Sequence, residues 1–177
     1  PLYKGTKKSK IYVLRNRLLL TFDYNFKETQ AFDIDLNSFE IQEKKYPQPS
    51  VQKQTSWSNS YYHENKIYQL NINDEELLFD IKDYQTNQVI KSYAVAKKDT
   101  IPFKNSPLLI QSGSQKPKKL KNSTLFLQRL LFLDVGLTVY KTQKAILITL
   151  GGTNEGQTSY SNITSGLNAG MAGDFND

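Results

Sequence analysis

What most constrains this chain is a strand pattern that it carries twice. Ala31-Phe-Asp-Ile-Asp-Leu36 sets Phe32, Ile34 and Leu36 against Asp33 and Asp35, the two-residue period of a half-buried strand, with the aspartates expected on the solvent side. Asn37-Ser38 turns the chain, and Phe39-Glu-Ile-Gln-Glu43 alternates again. Further along, Leu77-Leu-Phe-Asp-Ile81 and Lys82-Asp-Tyr-Gln-Thr-Asn-Gln-Val-Ile90 repeat the Phe-Asp-Ile triplet, a turn and an outgoing strand, while Lys66-Ile-Tyr68 repeats Lys10-Ile-Tyr12. The two Phe-Asp-Ile copies lie 47 positions apart (79 minus 32). Hairpins repeated in sequence order predict a mainly β fold, an antiparallel meander of repeat units joined by one buried α-helix.

The other segments fit that reading. Lys10-Ile-Tyr-Val-Leu14 and Leu18-Leu-Leu-Thr-Phe22 flank Arg15-Asn16-Arg17, a tight hairpin turn. Pro47-Gln-Pro-Ser50 closes the first unit, and Val51 to Ser60 reads as a polar loop. Past residue 100 come a connector over Ile101 to Pro107, a short strand at Leu108-Leu-Ile110, and the basic loop Gln115-Lys-Pro-Lys-Lys-Leu-Lys121. Asn122 or Ser123 caps a helix over Thr124 to Leu133, apolar around nearly its whole circumference and therefore in need of cover on several sides. Gly136 to Tyr140 and Ala145 to Leu150 form a hairpin. The expected organisation is a repeat region over 1–100, a strand, helix and hairpin packed on it over 101–150, and a Gly/Ser/Asn-rich loop or tail over 151–177.

About four strands in 40 to 50 residues is the span of a propeller blade. Glu76-Leu-Leu-Phe-Asp-Ile-Lys-Asp-Tyr-Gln-Thr-Asn-Gln-Val-Ile90 resembles the third and fourth strands of a kelch-like or quinoprotein-like β-propeller blade, and the resemblance extends over residues 10–95. It implies blade-like units of a bacterial envelope or exported protein, with a periplasmic or cell-surface location. It also implies that the chain is a few blades of a longer protein.

Composition excludes several chemistries. With no cysteine among 177 residues, disulfide scaffolds, thiol nucleophiles and thiolate metal sites are ruled out. The net charge of +6 comes almost entirely from lysine, arginine standing only at Arg15, Arg17 and Arg129. Nucleic-acid recognition, which relies on the guanidinium fork, is not expected. The longest apolar run, Leu125 to Leu133, is interrupted by Gln128 and Arg129 and is too short to span a bilayer. Peripheral association with an envelope is compatible with that.

No catalytic constellation assembles from the sequence. Gly151-Gly-Thr-Asn-Glu-Gly-Gln-Thr158 has phosphate-loop glycines, but Gln157 stands where the lysine belongs and Glu155 adds a negative charge. His63 is the only histidine, with no nucleophile elbow to serve. Asp33 and Asp35 stand two residues apart on one strand, and the acidic clusters Asn73-Asp-Glu-Glu76 and Asp174-Phe-Asn-Asp177 lack the spacing of a calcium loop. No catalytic residue, metal ligand or cofactor is assigned. The best candidates for binding are Trp57, Tyr61, Tyr62 and His63, aromatic groups in and after the polar loop that offer flat surfaces to a protein partner or a glycan. The expected function is a noncatalytic protein-interaction or scaffold module. A secreted polysaccharide-active hydrolase and a basic nucleic-acid-binding module are the alternatives.

Overall fold

A computed structural model describes residues 2–49, 57–154 and 165–173, the last for the backbone alone. Its elements run α1 (Leu2–Gly5), β1 (Ser9–Leu14), β2 (Arg17–Phe22), β3 (Glu28–Asp35), β4 (Ile41–Pro47), β5 (Trp57–His63), β6 (Lys66–Ile72), β7 (Glu76–Asp83), β8 (Val89–Ala96), β9 (Leu109–Ser112), β10 (Lys118–Lys119), α2 (Ser123–Leu130), β11 (Asp134–Lys141), β12 (Ile146–Thr153) and β13 (Ser165–Gly173). The fold is mainly β and antiparallel. β1-β2-β3-β4 form the first sheet and β5-β6-β7-β8 the second, both simple meanders, whereas the third has the order β10-β9-β13-β12-β11.

The first two sheets are structural copies, and their turns show why. After β3, Asp35 Oδ1 accepts from the backbone N–H groups of Asn37 and Ser38, and Phe39 takes a positive φ of 60°. After β7, Asp83 Oδ1 accepts from Gln85 and Thr86, and Asn87 has φ 60°. Such Asx turns let one short carboxylate satisfy two amides at a reversal. Asn25 and Asn73 likewise accept from the two amides that open β3 and β7. These landmarks repeat at 48 positions (83 minus 35, 73 minus 25), one more than the Phe-Asp-Ile spacing. That single residue matters, because a one-residue shift moves a strand's side chains to the opposite face. The Phe-Asp-Ile triplets are therefore not equivalent: Asp33 of β3 points toward the second sheet, and Asp80 of β7 points back toward the first. The Lys-Ile-Tyr copies differ further, since Lys10-Tyr12 lies on β1 and Lys66-Tyr68 on β6.

The second sheet is sandwiched between the other two layers, so β6 is buried over six of its seven residues. One of its faces meets the first sheet through Ile67 and Tyr62 against Leu19, Ala31 and Tyr46, with Tyr84 beside them. This junction is largely polar. Gln69 Nε2 donates to the Tyr46 carbonyl at 2.9 Å, Asn71 Nδ2 to the Pro49 carbonyl at 3.1 Å, and Lys82 Nζ to the Pro47 carbonyl. The opposite face is apolar: Tyr68, Leu70, Ile72, Leu77, Phe79 and Ile81 pack against Phe126, Leu127 and Leu130 of α2 and against Val135, Leu137, Ile148 and Leu150. Each fully buried large apolar side chain contributes roughly 1.5–3 kcal/mol, so this second junction carries most of the hydrophobic stabilisation.

Several expectations are corrected. Alternation along β3 was expected to turn Asp33 outward, but both faces of the strand lie under partial cover and Asp33 is 5% exposed while Phe32 and Ile34 are on the outer side. The helix is shorter than expected, ending at Leu130 with Asn122 as its N-cap, and it is not buried all round: Leu125 is exposed, as is Phe132 just beyond the helix. β5 begins at Trp57 inside the expected loop; residues 50–56 of that loop lie outside the described residues. Beyond residue 150, β12 continues to Thr153 and β13 pairs with both β12 and β9 where a loop or tail was expected.

Candidate functional site

The four aromatic candidates fall on β5, where the strand period divides them. Tyr62 faces the first sheet and is buried; its backbone N–H donates to the Tyr12 hydroxyl at 3.1 Å, and its ring meets Tyr84 edge-on at 5.0 Å. Trp57, Tyr61 and His63 point the other way. Trp57 Nε1 donates to the Leu131 carbonyl at 3.2 Å, and its ring lies 5.2 Å from the Lys8 ammonium. Tyr61 packs edge-on to Tyr12 at 5.6 Å. His63 is half-buried with Nε2 shielded and without a hydrogen-bond partner, and burial lowers its pKa against the opposing pull of Glu64. These residues join layers and do not form one exposed aromatic platform.

Charged groups are also drawn into the layer junctions. Lys10 is almost wholly buried, 3.6 Å from Asp23, and donates to Asn59 Oδ1 at 2.5 Å; burial pushes its pKa down to about 8 in spite of Asp23. Asp23 accepts from Thr29 Oγ1 at 2.7 Å and from the backbone and side chain of Ser60. Asp33 accepts from Arg17 and from the Tyr84 hydroxyl, each at 2.8 Å, and Asp35 is committed to its turn. These carboxylates thus serve contacts within the fold. Asp33 joins β3 to Arg17 of β2 and to Tyr84 of the second unit, whereas Asp35 closes the turn after β3.

A cleft of about 420 Å³ opens between the residues before β9 and the start of α2. Lys98, Lys104, Lys119 and Lys121 line it together with Asp99, Ser123 and Thr124. Here the basic loop read from the sequence converges with Lys98 and Lys104. Exposed ammonium groups attract anions weakly and under strong salt screening, and Ser123 is already occupied, accepting from the Ile101 N–H.

The feature with no internal use lies on the far side of the first sheet. Register places Val13, Leu18, Ile34 and Ile41 in one row across all four strands, and Ile11, Leu20 and Phe32 in the next, which Glu43 completes. Phe22 extends the face, stacking on Tyr24 and meeting Phe32 edge-on. Val13 is 80% exposed, Ile11 67% and Ile41 62%, and Leu18, Leu20, Phe22, Phe32 and Ile34 belong to neither core. The corresponding face of the second sheet, Ile67, Gln69, Asn71, Leu78, Asp80 and Lys82, is covered by the first sheet. Among the described residues, Ile11, Val13 and Ile41 thus stand exposed, and Leu18, Leu20, Phe32 and Ile34 only half-buried, where the next layer's counterpart is covered.

No protein-family model matches the chain, and no curated protein sequence matches it.

The open face emerges only from the register of four strands set side by side, which no single strand's pattern shows. A signal existed: Leu18-Leu-Leu20 is apolar at consecutive positions, and a strand apolar on both sides demands cover on both. Among the described residues no helix is long and apolar enough to cross a membrane.

Proposed function

We propose that this chain is a noncatalytic interaction module of a bacterial envelope or exported protein, made of blade-like four-stranded units and working through the outer face of its first sheet. The observation that carries this reading is the pair of apolar rows from β1 to β4. Isolated exposed apolar residues are ordinary, but a contiguous apolar patch bordered by polar groups marks a binding surface. The engagement of Asp23, Asp33 and Asp35 within the fold favours binding over hydrolysis. The 48-residue copy of a four-stranded meander supports the likeness to propeller blades.

Site-specific photocrosslinking in the native protein tests it. A photoreactive residue at position 11 or 13 is expected to give a crosslinked protein product that is lost when Leu20→Glu is added, while the same group at Lys144, on the far hairpin, gives none. Equal crosslinking from all three positions, or none from 11 and 13, removes the basis of the reading.

A further inference from the structure

The start of α2 carries a positive end that nothing in the fold offsets. A helix leaves its first backbone N–H groups without intrahelical acceptors, and acidic residues in the first turn commonly balance them. α2 has no acidic residue there. Asn122 Oδ1 takes the Leu125 amide and the Asn122 carbonyl takes that of Phe126, while the amides of Ser123 and Thr124 meet no acceptor among the described residues. Ser123 adds a third free donor. Its side chain is 6% exposed and accepts from the Ile101 amide at 3.3 Å; a hydroxyl also has a proton to give, and among the described residues that proton goes to no acceptor. The Thr124 hydroxyl is spent, donating to the Lys97 carbonyl at 2.7 Å. That bond and the one from Ile101 clamp the 97–101 segment onto the helix start and bring Lys98 to it.

Ser123 and Thr124 line the cleft of about 420 Å³ that Lys98, Lys104, Lys119 and Lys121 also line. Leu120 packs on the core and its amide bonds to the Leu108 carbonyl at 2.8 Å, so Lys119 and Lys121, one residue to either side, fall together on the opposite side. Elsewhere in the fold lysines find carboxylates: Lys10 lies beside Asp23, Lys45 beside Glu43 and Lys141 beside Glu64. Among the described residues none of the four cleft lysines has an ion pair. Asp99 is the one acidic residue of the lining, which leaves a formal charge of +3 (four minus one).

We propose that this cleft binds a small soluble molecule carrying two or more phosphoryl groups. One phosphoryl group sits at the helix start, where anions are favoured, and its three acceptor oxygens match the two amides and the Ser123 hydroxyl in number, as a carboxylate would not. The others lie among the lysines, which hold phosphate as point charges. The volume falls within the range of small-molecule sites and leaves room for more than one such group. This site is independent of the outer face of the first sheet.

Amide NMR titration with sodium pyrophosphate, in a chloride buffer of about 0.15 M where surface charges are screened beyond about 8 Å, tests it. Saturable shifts are expected at Lys98, Ser123 and Thr124 and not on the β11–β12 hairpin around Lys144. Inorganic phosphate, which fills one position only, is expected to bind about tenfold more weakly. Lys104→Gln/Lys119→Gln should weaken pyrophosphate about tenfold or more, whereas Lys144→Gln leaves it unchanged. Lys104 and Lys119 lie outside both cores, so the double variant should keep its melting temperature, which is recorded alongside. Shifts that never saturate or that appear equally around Lys144 overturn the proposal, as does a double variant that binds like the parent. Equal affinity for phosphate and pyrophosphate overturns the second phosphoryl position. Cosedimentation with vesicles of equimolar phosphatidylcholine and phosphatidate separates a soluble ligand from a membrane headgroup: binding to the vesicles without saturable binding of pyrophosphate overturns the proposal as well.

Discussion

The side-chain amide of Asn59 donates to the main-chain carbonyl of Val135, 76 positions further along the chain, at 2.8 Å. The same nitrogen donates to the carbonyl of Thr6 at 3.1 Å, and the side-chain oxygen accepts from Lys10. One fully buried amide therefore ties the second sheet to the third, to the segment after α1 and to the first sheet. Removing it leaves two buried carbonyls and an ammonium short of partners, and each unsatisfied buried group costs roughly 1–3 kcal/mol. Asn59→Ala is expected to lower stability by about 2–4 kcal/mol, measured by urea denaturation. A loss within the ordinary scatter of surface substitutions would show that the layers do not depend on this node.

Gly5 and Gly136 make a close backbone crossing. A methyl group on Gly136 would lie 2.2 Å from the Gly5 carbonyl oxygen, and one on Gly5 would lie 2.1 Å from that of Leu137. Glycine is required at both positions by the approach of α1 to β11. Gly136→Ala should cost about 2–3 kcal/mol through overpacking. In a variant lacking residues 2–5 the same substitution should cost far less, and the difference between the two backgrounds measures the contact. Equal costs in both backgrounds would place the strain elsewhere.

The strands and most of their turns were legible in the sequence because alternation and Asx-turn residues act locally. Asp33 shows where that legibility stops. Alternation says that the two faces of a strand differ, but it does not say which one meets the next layer, and Asp33 is buried because Arg17 and Tyr84 come to it from β2 and from the second unit. The repeat length failed for a related reason. Phe32-Asp33-Ile34 and Phe79-Asp80-Ile81 are alike in letters, yet one residue out of step in the fold, and the hydrogen bonds of Asp35 and Asp83, with those of Asn25 and Asn73, reveal the true phase. The strand content of β5 was masked by its composition: Trp-Ser-Asn-Ser reads as loop until Asn59 and Ser60 find buried partners distant in sequence.

Stability should rise toward alkaline pH before it falls. Burial depresses the pKa of Lys10 to about 8 and also lowers those of Lys8 and Lys82, against about 10.4 in the unfolded chain. Between those values the unfolded state binds more protons, so stability increases with pH across that window. Tyrosines act in the opposite sense. Burial raises Tyr12, Tyr46 and Tyr84, and Tyr68 to about 12; above about pH 10 the unfolded tyrosines ionise first and stability declines. A urea midpoint that peaks near pH 9 to 10 (about where the two windows meet) is expected, and Lys10→Met should flatten the rising limb. A midpoint that falls steadily from pH 7 upward would contradict the burial of these lysines.

On the acid side the group to watch is His63. Its Nε2 is shielded and unpartnered, and burial lowers its pKa, opposed by Glu64, which is itself held by Lys141 at 2.9 Å. Because the folded value lies below the unfolded one, stability is present above about pH 6.5 and is lost as pH falls toward the folded pKa. That window lies above the range where Asp35 and Asp83, whose carboxylates their turns hold below the usual values, begin to take up protons. His63→Phe keeps an aromatic ring on the same face of β5 and abolishes the titration, so its urea midpoint should change less between pH 7 and 5 (about the span of an ordinary imidazole titration) than that of the parent. Glu64→Gln removes the one neighbour that favours the charged ring and should steepen the parent's loss over the same interval. The imidazole proton shifts in an NMR titration provide the direct check: a midpoint at or above the ordinary histidine value would mean that His63 is solvated rather than packed between β5 and the β11–β12 hairpin.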